Sequence, residues 1–183
     1  MKNILDVSLG EKAPDAFNVI IEISRGSSNK YEIDKDTGLL RLDRVLYSPF
    51  YYPLDYGFLP QTHWHDGDPL DALVLVTHPI LPGTIVEVRP VGVIRMMDNG
   101  DKDEKIIAVA TGDPRFAEYQ DIGDLSAHLR KELQHFYEYY KHLEGKEVKV
   151  LSLEGITEAK KVIKEGIELY KKLKTKNHGR SRI

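Results

Sequence analysis

Asp66-Gly67-Asp68-Pro69-Leu70-Asp71 places three carboxylates within six residues, stiffened by a proline and followed by the apolar run Ala72-Leu73-Val74-Leu75-Val76. Like charges this close repel, and without compensation they cost stability or take up protons through raised pKa values. A partner rich in positive charge resolves the conflict, and hard oxygen ligands point to Mg2+ or Ca2+. The plain alternative is a solvated Asp-rich turn, because Asp, Gly and Pro all favour turns. An EF-hand loop is excluded: it needs Gly at its sixth position and Glu at its twelfth, where Asp71 and Thr77 stand. His63-Trp64-His65 has the spacing of a His-x-His metal pair. No third His follows at useful spacing, so a structural or surface role suits both better.

A second acidic loop shifts the balance towards metal. Asp98, Asp101 and Asp103 lie between two expected strands, in a loop that closes on Lys105. Alone, such a loop is a solvated hairpin tip. Beside Asp66, Asp68 and Asp71 it supplies oxygen ligands for several divalent cations that keep part of their water. Metals so arranged activate a water and clamp both ends of an in-line displacement at phosphorus. That is phosphoryl chemistry rather than calcium storage. A phosphate substrate also needs donors. Lys30 and Glu32 alternate on one strand, Arg44 ends the next, Tyr52 and Tyr56 lie in an aromatic segment, and Tyr140-Lys141 ends a helix. Each has an ordinary reading as a surface or core residue. Together they offer bidentate and uncharged donors to phosphate oxygens.

Other phosphoryl and hydrolytic routes are closed. The chain has no Gly-rich loop ending in Gly-Lys-Ser/Thr and no Gly-x-Ser-x-Gly elbow. With no cysteine there is no thiolate nucleophile, disulfide or Cys-type zinc site. An aspartyl-phosphate enzyme would carry its Asp-x-Asp behind a strand and continue with Asp-x-Thr/Val. Here Leu70 holds the Thr/Val place and the strand follows the motif. A metal-activated water is the simplest remaining route.

The elements that must position these residues read as short strands followed by two helices. Phe17 to Ile23, Lys30 to Ile33 and Leu39 to Val45 alternate as strands, with a hairpin turn at residues 34–38. On the first strand Asn18, Ile20 and Glu22 share one face. Residues 47–62 hold four tyrosines and three prolines, so they are expected to form an ordered aromatic loop without regular structure. Leu73 to Thr77, Ile85 to Met97 (bent at Pro90 and Gly92), Ile106 to Ala110 and Val148 to Leu151 continue the strands. Leu125, Leu129, Leu133, Phe136 and Tyr140 mark a helix behind an Asp124 cap, and Ala159 to Leu173 a second amphipathic helix. The residues before Phe17 are irregular, with one short turn before Pro14. The pattern is α+β, with a twisted sheet or small barrel flanked by helices.

At 183 residues, without repeats or linkers, the chain is expected to form a single domain over 1–183. Its longest apolar runs are too short to cross a bilayer. The N-terminus, Met1 to Asp6, has no apolar signal region, which predicts a cytoplasmic protein without membrane partners. A net charge of −3 does not suit a general nucleic-acid binder. A rival from another class is a non-enzymatic barrel binding single-stranded nucleic acid or polyphosphate. Its support is the basic tail of Lys171, Lys172, Lys174, Lys176, Arg180 and Arg182, a segment expected to be solvated and disordered. Such a binder shows aromatics on a basic face, whereas the tyrosines here accompany acids.

These residues resemble the soluble family I inorganic pyrophosphatases of prokaryotic type, over nearly the whole chain. The family pattern Asp-x-Asp-Pro/Glu-apolar-Asp-apolar is met by Asp66 to Ala72. VIIEISRGSSNKYEID, FYYPLDYGFLP, MMDNGDKDEKIIAVA and FYEYYKHLEGKEVKV are similar to its opening strands, aromatic loop, second metal loop, and closing helix and strand. The resemblance implies Mg2+-dependent hydrolysis of inorganic diphosphate to two orthophosphates by a metal-bridging hydroxide. It implies Asp66, Asp71 and Asp103 at a first metal site, with Asp71 also at a second, Asp98 and Asp103 at a further site, and Glu22 at one that comes with substrate. Asp68 is implied as the general base. Lys30, Arg44, Tyr56, Lys105, Tyr140 and Lys141 would hold phosphate, supported by Glu32 and Tyr52. Several members have an acid after the first Asp of the second loop; this chain has Asn99 there. The family fold implies a small closed OB-like β-barrel flanked by two C-terminal helices. Its prokaryotic members imply a homo-oligomer, a hexamer.

Overall fold

The computed structural model describes Ile4 and residues 7–180, with side chains as far as 176. The basic-tail side chains of Arg180 and Arg182, and most of the N-terminal segment Met1 to Asp6, lie outside the described residues.

Nine strands and two α-helices are formed among these residues. In β1 (Phe17–Ile23) every residue but Asn18 is buried, so the alternation seen in sequence does not separate core from solvent. The reason is pairing and cover on all sides. β1 pairs antiparallel with β4 (Asp55–Phe58) and with the first part of the fourteen-residue β6 (Ile85–Asp98). β4 pairs antiparallel with β5 (Asp71–Leu75), which runs parallel to β8 (Lys105–Ala110), and β8 returns antiparallel to β6. The pairings β1–β4–β5–β8–β6–β1 therefore close a ring. The two-residue β7 (Asp101–Lys102) and β9 (Val148–Gly155) extend β6 outside it. A separate hairpin, β2 (Asn29–Ile33) with β3 (Leu40–Val45), stands beside the mixed sheet.

Successive residues of a strand point to opposite faces, and each face meets its own helix. Leu73, Leu75, Ile94 and Ile107 pack with Leu133, Phe136 and Tyr137 of α1 (Ala127–Tyr139). Ala72, Val74, Val93 and Ile106 pack with Ala159, Val162 and Ile163 of α2 (Ile156–Arg180). Two helices on two faces explain why the central strands are apolar throughout.

Four expectations are corrected. The aromatic segment 47–62 is not wholly irregular: β4 lies within it, because Pro53 and Pro60 bracket the strand and leave its hydrogen-bonding groups free. The cap of α1 is Ser126, whose Oγ accepts from the Leu129 N–H at 3.1 Å. Asp124 instead closes a 3₁₀ turn, exchanging capping bonds with Asp121. β9 runs four residues beyond Leu151, to Gly155, supported along its length by β6. Finally, α2 carries Lys171, Lys172, Lys174 and Lys176 in helical backbone, so this part of the basic segment is ordered.

Candidate active site

A cavity of about 350 Å3 opens where β1, the start of β5, the β6–β8 turn, the end of α1 and the β2–β3 hairpin meet. Glu22, Asp66, Asp68, Asp71, Asp98 and Asp103 line it, together with Lys30, Glu32, Tyr56, Lys105, Tyr140 and Lys141. Most of the residues singled out in the sequence are thus brought together, from segments far apart in the chain.

The parallel register of β5 and β8 sets Asp71 opposite Lys105. The Lys105 ammonium lies 2.5 Å from Asp71 Oδ2 and 2.5 Å from Asp103 Oδ1. Burial alone would lower the Lys105 pKa, but these two carboxylates hold it well above the ordinary lysine range. Burial raises the Asp71 carboxyl against the opposing pull of Lys105 and a hydrogen bond with Tyr56. Glu22 accepts the backbone N–H of Ile33 at 2.7 Å, tying the β2–β3 hairpin to the ring. Its carboxyl is pushed up to about 8, mainly by burial and further by repulsion from Asp71 and Glu32. Asp66 accepts from the Asp68 N–H at 3.0 Å. It is pushed up to about 6 by burial, with Asp71 and Asp103 adding repulsion.

Cations answer the other acids. Lys35 pairs with Asp68 and Lys141 with Asp98. Lys30 pairs with Glu32 and lies 3.1 Å from Asp43 Oδ2. Tyr56 and Tyr140 are kept neutral by burial, which raises both phenols well above their ordinary value.

Two of the expected residues stand behind the lining. Arg44 is held by Glu144 Oε1 at 2.9 Å and Asp43 Oδ2 at 2.6 Å, and its Nη2 is buried without a partner. Tyr52 is buried in the aromatic core, its ring 5.6 Å from that of Tyr56 and 5.2 Å from that of Phe136. Residues that sequence reasoning did not single out also matter here. Lys35, read only as part of a turn, lines the cavity. Its signal was a cation within the hairpin that already carries Lys30 and Glu32. Asp43 and Glu144 hold the cations in place. Glu104 is buried between Asp103 and Lys105, and no sequence pattern marked it. Of the His-x-His segment, His65 pairs with Glu165 at 3.1 Å and Trp64 is buried; neither flanking histidine lines the cavity.

The donor set fits a hard divalent cation. It is all oxygen, and Glu22 and Asp66 carry raised pKa values because neighbouring acids and burial penalise their charge, a demand that added positive charge relieves. Among the described residues no three acidic or histidine side chains stand ready around one point, and the Lys105 ammonium lies between Asp71 and Asp103.

Comparison with known proteins gives the chain a family. The inorganic pyrophosphatase family model matches residues 19–171. The inorganic pyrophosphatase of Thermus thermophilus is 47% identical over 165 residues, covering 90% of this chain and 94% of the relative. That of Picrophilus torridus is 46% identical over 164 residues, covering 90% and 93%. A crystal structure of the Thermus thermophilus protein superposes with a TM-score of 0.90 at 46% identity, over 93% of this chain and 99% of that one. One from Helicobacter pylori gives 0.87 at 44% identity, over 91% and 99%. With a family model spanning most of its length and relatives near one-half identical over nine-tenths of it, the chain belongs to the inorganic pyrophosphatase family.

Proposed function

We propose that this chain hydrolyses inorganic diphosphate to two orthophosphates in the cavity, with Mg2+ as its metal. One observation carries the reading: seven carboxylates and a set of lysines and neutral tyrosines line the same small cavity. That is the pairing of charges needed by a polyanion that arrives with divalent cations. The cations, which Asp66, Asp71, Asp98, Asp103 and Glu22 would hold, would supply charge neutralisation and a more acidic water.

The chain's own groups do the rest. Asp68, whose side chain is 60% solvent-exposed, takes a proton at its carboxylate from the attacking water. Lys30, Lys105 and Lys141 bind phosphate oxygens as point charges, while Tyr56 and Tyr140 donate hydrogen bonds without adding charge. Arg44, held by Glu144 and Asp43 behind the lining, adds positive charge on the side where the phosphate oxygens bind. Glu32 steadies Lys30, and Tyr52 packs against Tyr56 to fix its ring.

The remaining readings belong to the same proposal. The strand ring is a small OB-like barrel, and residues 1–183 form one domain. The exposed apolar side chains Leu39, Leu42, Leu81, Ile85 and Leu151 supply contact surface for a homo-oligomer, a hexamer as in prokaryotic members. The acid-lined cavity disfavours nucleic acid. Among the described residues no helix is long and apolar enough to cross a membrane, and the protein works in the cytoplasm. Phosphate release from diphosphate tests the activity. It is expected with Mg2+ and lost with a chelator; folded, Mg2+-supplied protein that releases none contradicts the reading.

A further inference from the structure

Beneath the cavity, a buried contact joins the two acidic loops. Glu104 sits between Asp103 and Lys105 but is turned away from them: its Oε2 accepts the Trp64 indole N–H at 2.6 Å, and its Oε1 faces Arg95 Nη1 at 3.4 Å. Glu104 and Trp64 are 5% and 3% exposed, so water does not compete for the bond. Trp64 in turn closes the first acidic turn through its backbone. Its N–H donates to the Asp68 carbonyl at 2.7 Å, and its carbonyl accepts from Gly67 at 3.1 Å. Arg95 anchors the far side, with Nε 3.1 Å from Glu154 and Nη2 3.5 Å from Glu158 at the start of α2. One carboxylate therefore links β6 and α2 to the loop bearing Asp66 and Asp68, from a position flanked by Asp103 and Lys105.

We propose that Glu104 is a positioning residue, and that its hydrogen bond to Trp64 sets the spacing between the two acidic loops and with it the site's affinity for Mg2+. This rests on the metal reading of the cavity given above. A loop pair that must present carboxylates at fixed distances gains from a bond made away from the metal side, where it cannot be displaced by ligand. Supporting groups of this kind change metal affinity by about 10–100-fold when removed.

The chain has one tryptophan, so its fluorescence reports this contact directly. Wild-type protein titrated with Mg2+ should show saturable binding by calorimetry and a parallel change in tryptophan emission. Glu104→Ala, which leaves the indole N–H unpaired, should weaken Mg2+ binding about tenfold or more and lose the emission change. Glu104→Gln keeps an acceptor for the indole and should retain affinity within about threefold of wild type. Trp64→Phe, followed by calorimetry, should match Glu104→Ala, and the double variant should be no worse than either single one, because both remove the same bond. Near-ultraviolet circular dichroism and melting confirm that each variant is folded; should Glu104→Ala fail to fold, Trp64→Phe and Glu104→Gln carry the test. Folded Trp64→Phe with wild-type Mg2+ affinity overturns the proposal and leaves the metal reading intact. Wild-type protein that binds no Mg2+ overturns both.

Discussion

The two acidic loops look alike in sequence and are anchored differently. The first, residues 63–71, is anchored by two buried apolar side chains, Trp64 and Leu70. Thr62 Oγ1 accepts from the Leu70 N–H at 2.9 Å, the Trp64 backbone closes the turn, and Leu70 is buried against α2 at Gly166. A Cβ at Gly166 would meet Leu70 Cδ1 at 2.4 Å, so a larger residue there forces the Leu70 side chain to shift. The second, residues 98–103, has no apolar side chain and is held at its ends, where Asp98 pairs with Lys141 and the Asn99 N–H donates to the Glu147 carbonyl at 3.0 Å. Its tip turns at Asn99 and Gly100, both at positive φ, into the two-residue β7, while Asp101 and Lys102 are exposed. Its ends, Asp98 and Asp103, face the cavity and its tip faces water. The first loop leans on the core through Trp64 and Leu70, and the second on polar contacts at its ends and a tight turn at its tip. Substitutions should therefore sort by position within each loop rather than by charge removed.

The sharpest contrast is between Asp71 and Asp101. Asp71→Asn removes a carboxylate from the Lys105–Tyr56 cluster and should lower kcat/KM on the order of a hundredfold to a thousandfold. Asp101→Asn, at an exposed tip outside the cavity, should stay within about twofold. Equal losses in a steady-state assay would break the distinction between ends and tip.

A pH series probes the charge imbalance of the cavity. Glu22 at about 8 and Asp66 at about 6 both titrate above their unfolded values, so their neutral forms are favoured in the fold. Their contribution to stability is greatest below the unfolded pKa values, near about 4, and is lost as pH rises through 6 and then 8. Without metal, melting temperature should fall across that window. Mg2+ affinity should do the reverse, rising by about tenfold per pH unit for each carboxyl that must release its proton. Thermal melts of metal-free protein and calorimetric Mg2+ titrations from pH 5.5 to 8.5 check the two signs; flat affinity over this range would remove Glu22 and Asp66 from the metal-holding set.

Two glycines give the smaller effects. Gly166→Leu should cost about 1–3 kcal/mol through overpacking at Leu70, with reduced Mg2+ affinity because the first loop shifts. Gly100→Ala, at φ +95° with open space around it, should cost about 1 kcal/mol and leave activity nearly unchanged. Thermal melts read both. A Gly100 variant more damaging to activity than the Gly166 variant would contradict the contrast between a core-anchored and an open loop.

How far the molecule could be read from its sequence follows the same division. Local signals were legible: the alternation of β1, the apolar run of β5, the helical spacing of α1 and α2, and the Asp-x-Asp-Pro-x-Asp motif itself. What was hidden depends on neighbours. β4 was masked by Pro53 and Pro60, which bracket it. The extent of β9 depends on pairing with β6. Asp124 has the composition of a helix cap, but Asp121 engages it two residues before Ser126 takes that role. Lys105 was expected in the site, yet its place between Asp71 and Asp103 follows from a parallel register between strands more than thirty residues apart. Arg44 and Tyr52 were expected beside the phosphate groups and stand one layer behind the lining, fixed by Glu144 and the aromatic core. Glu104 carries no spacing signal, because its partner Trp64 is forty residues away.

The most direct test compares wild-type and Asp68→Asn protein in phosphate release from diphosphate at saturating Mg2+. Asp68 is the acid assigned to the proton of the attacking water, and its side chain is exposed, so the amide should leave fold and Mg2+ binding unchanged. The account predicts a fall in kcat of about 10²–10⁴-fold with metal affinity preserved. A folded, Mg2+-binding Asp68→Asn enzyme turning over at the wild-type rate would contradict it.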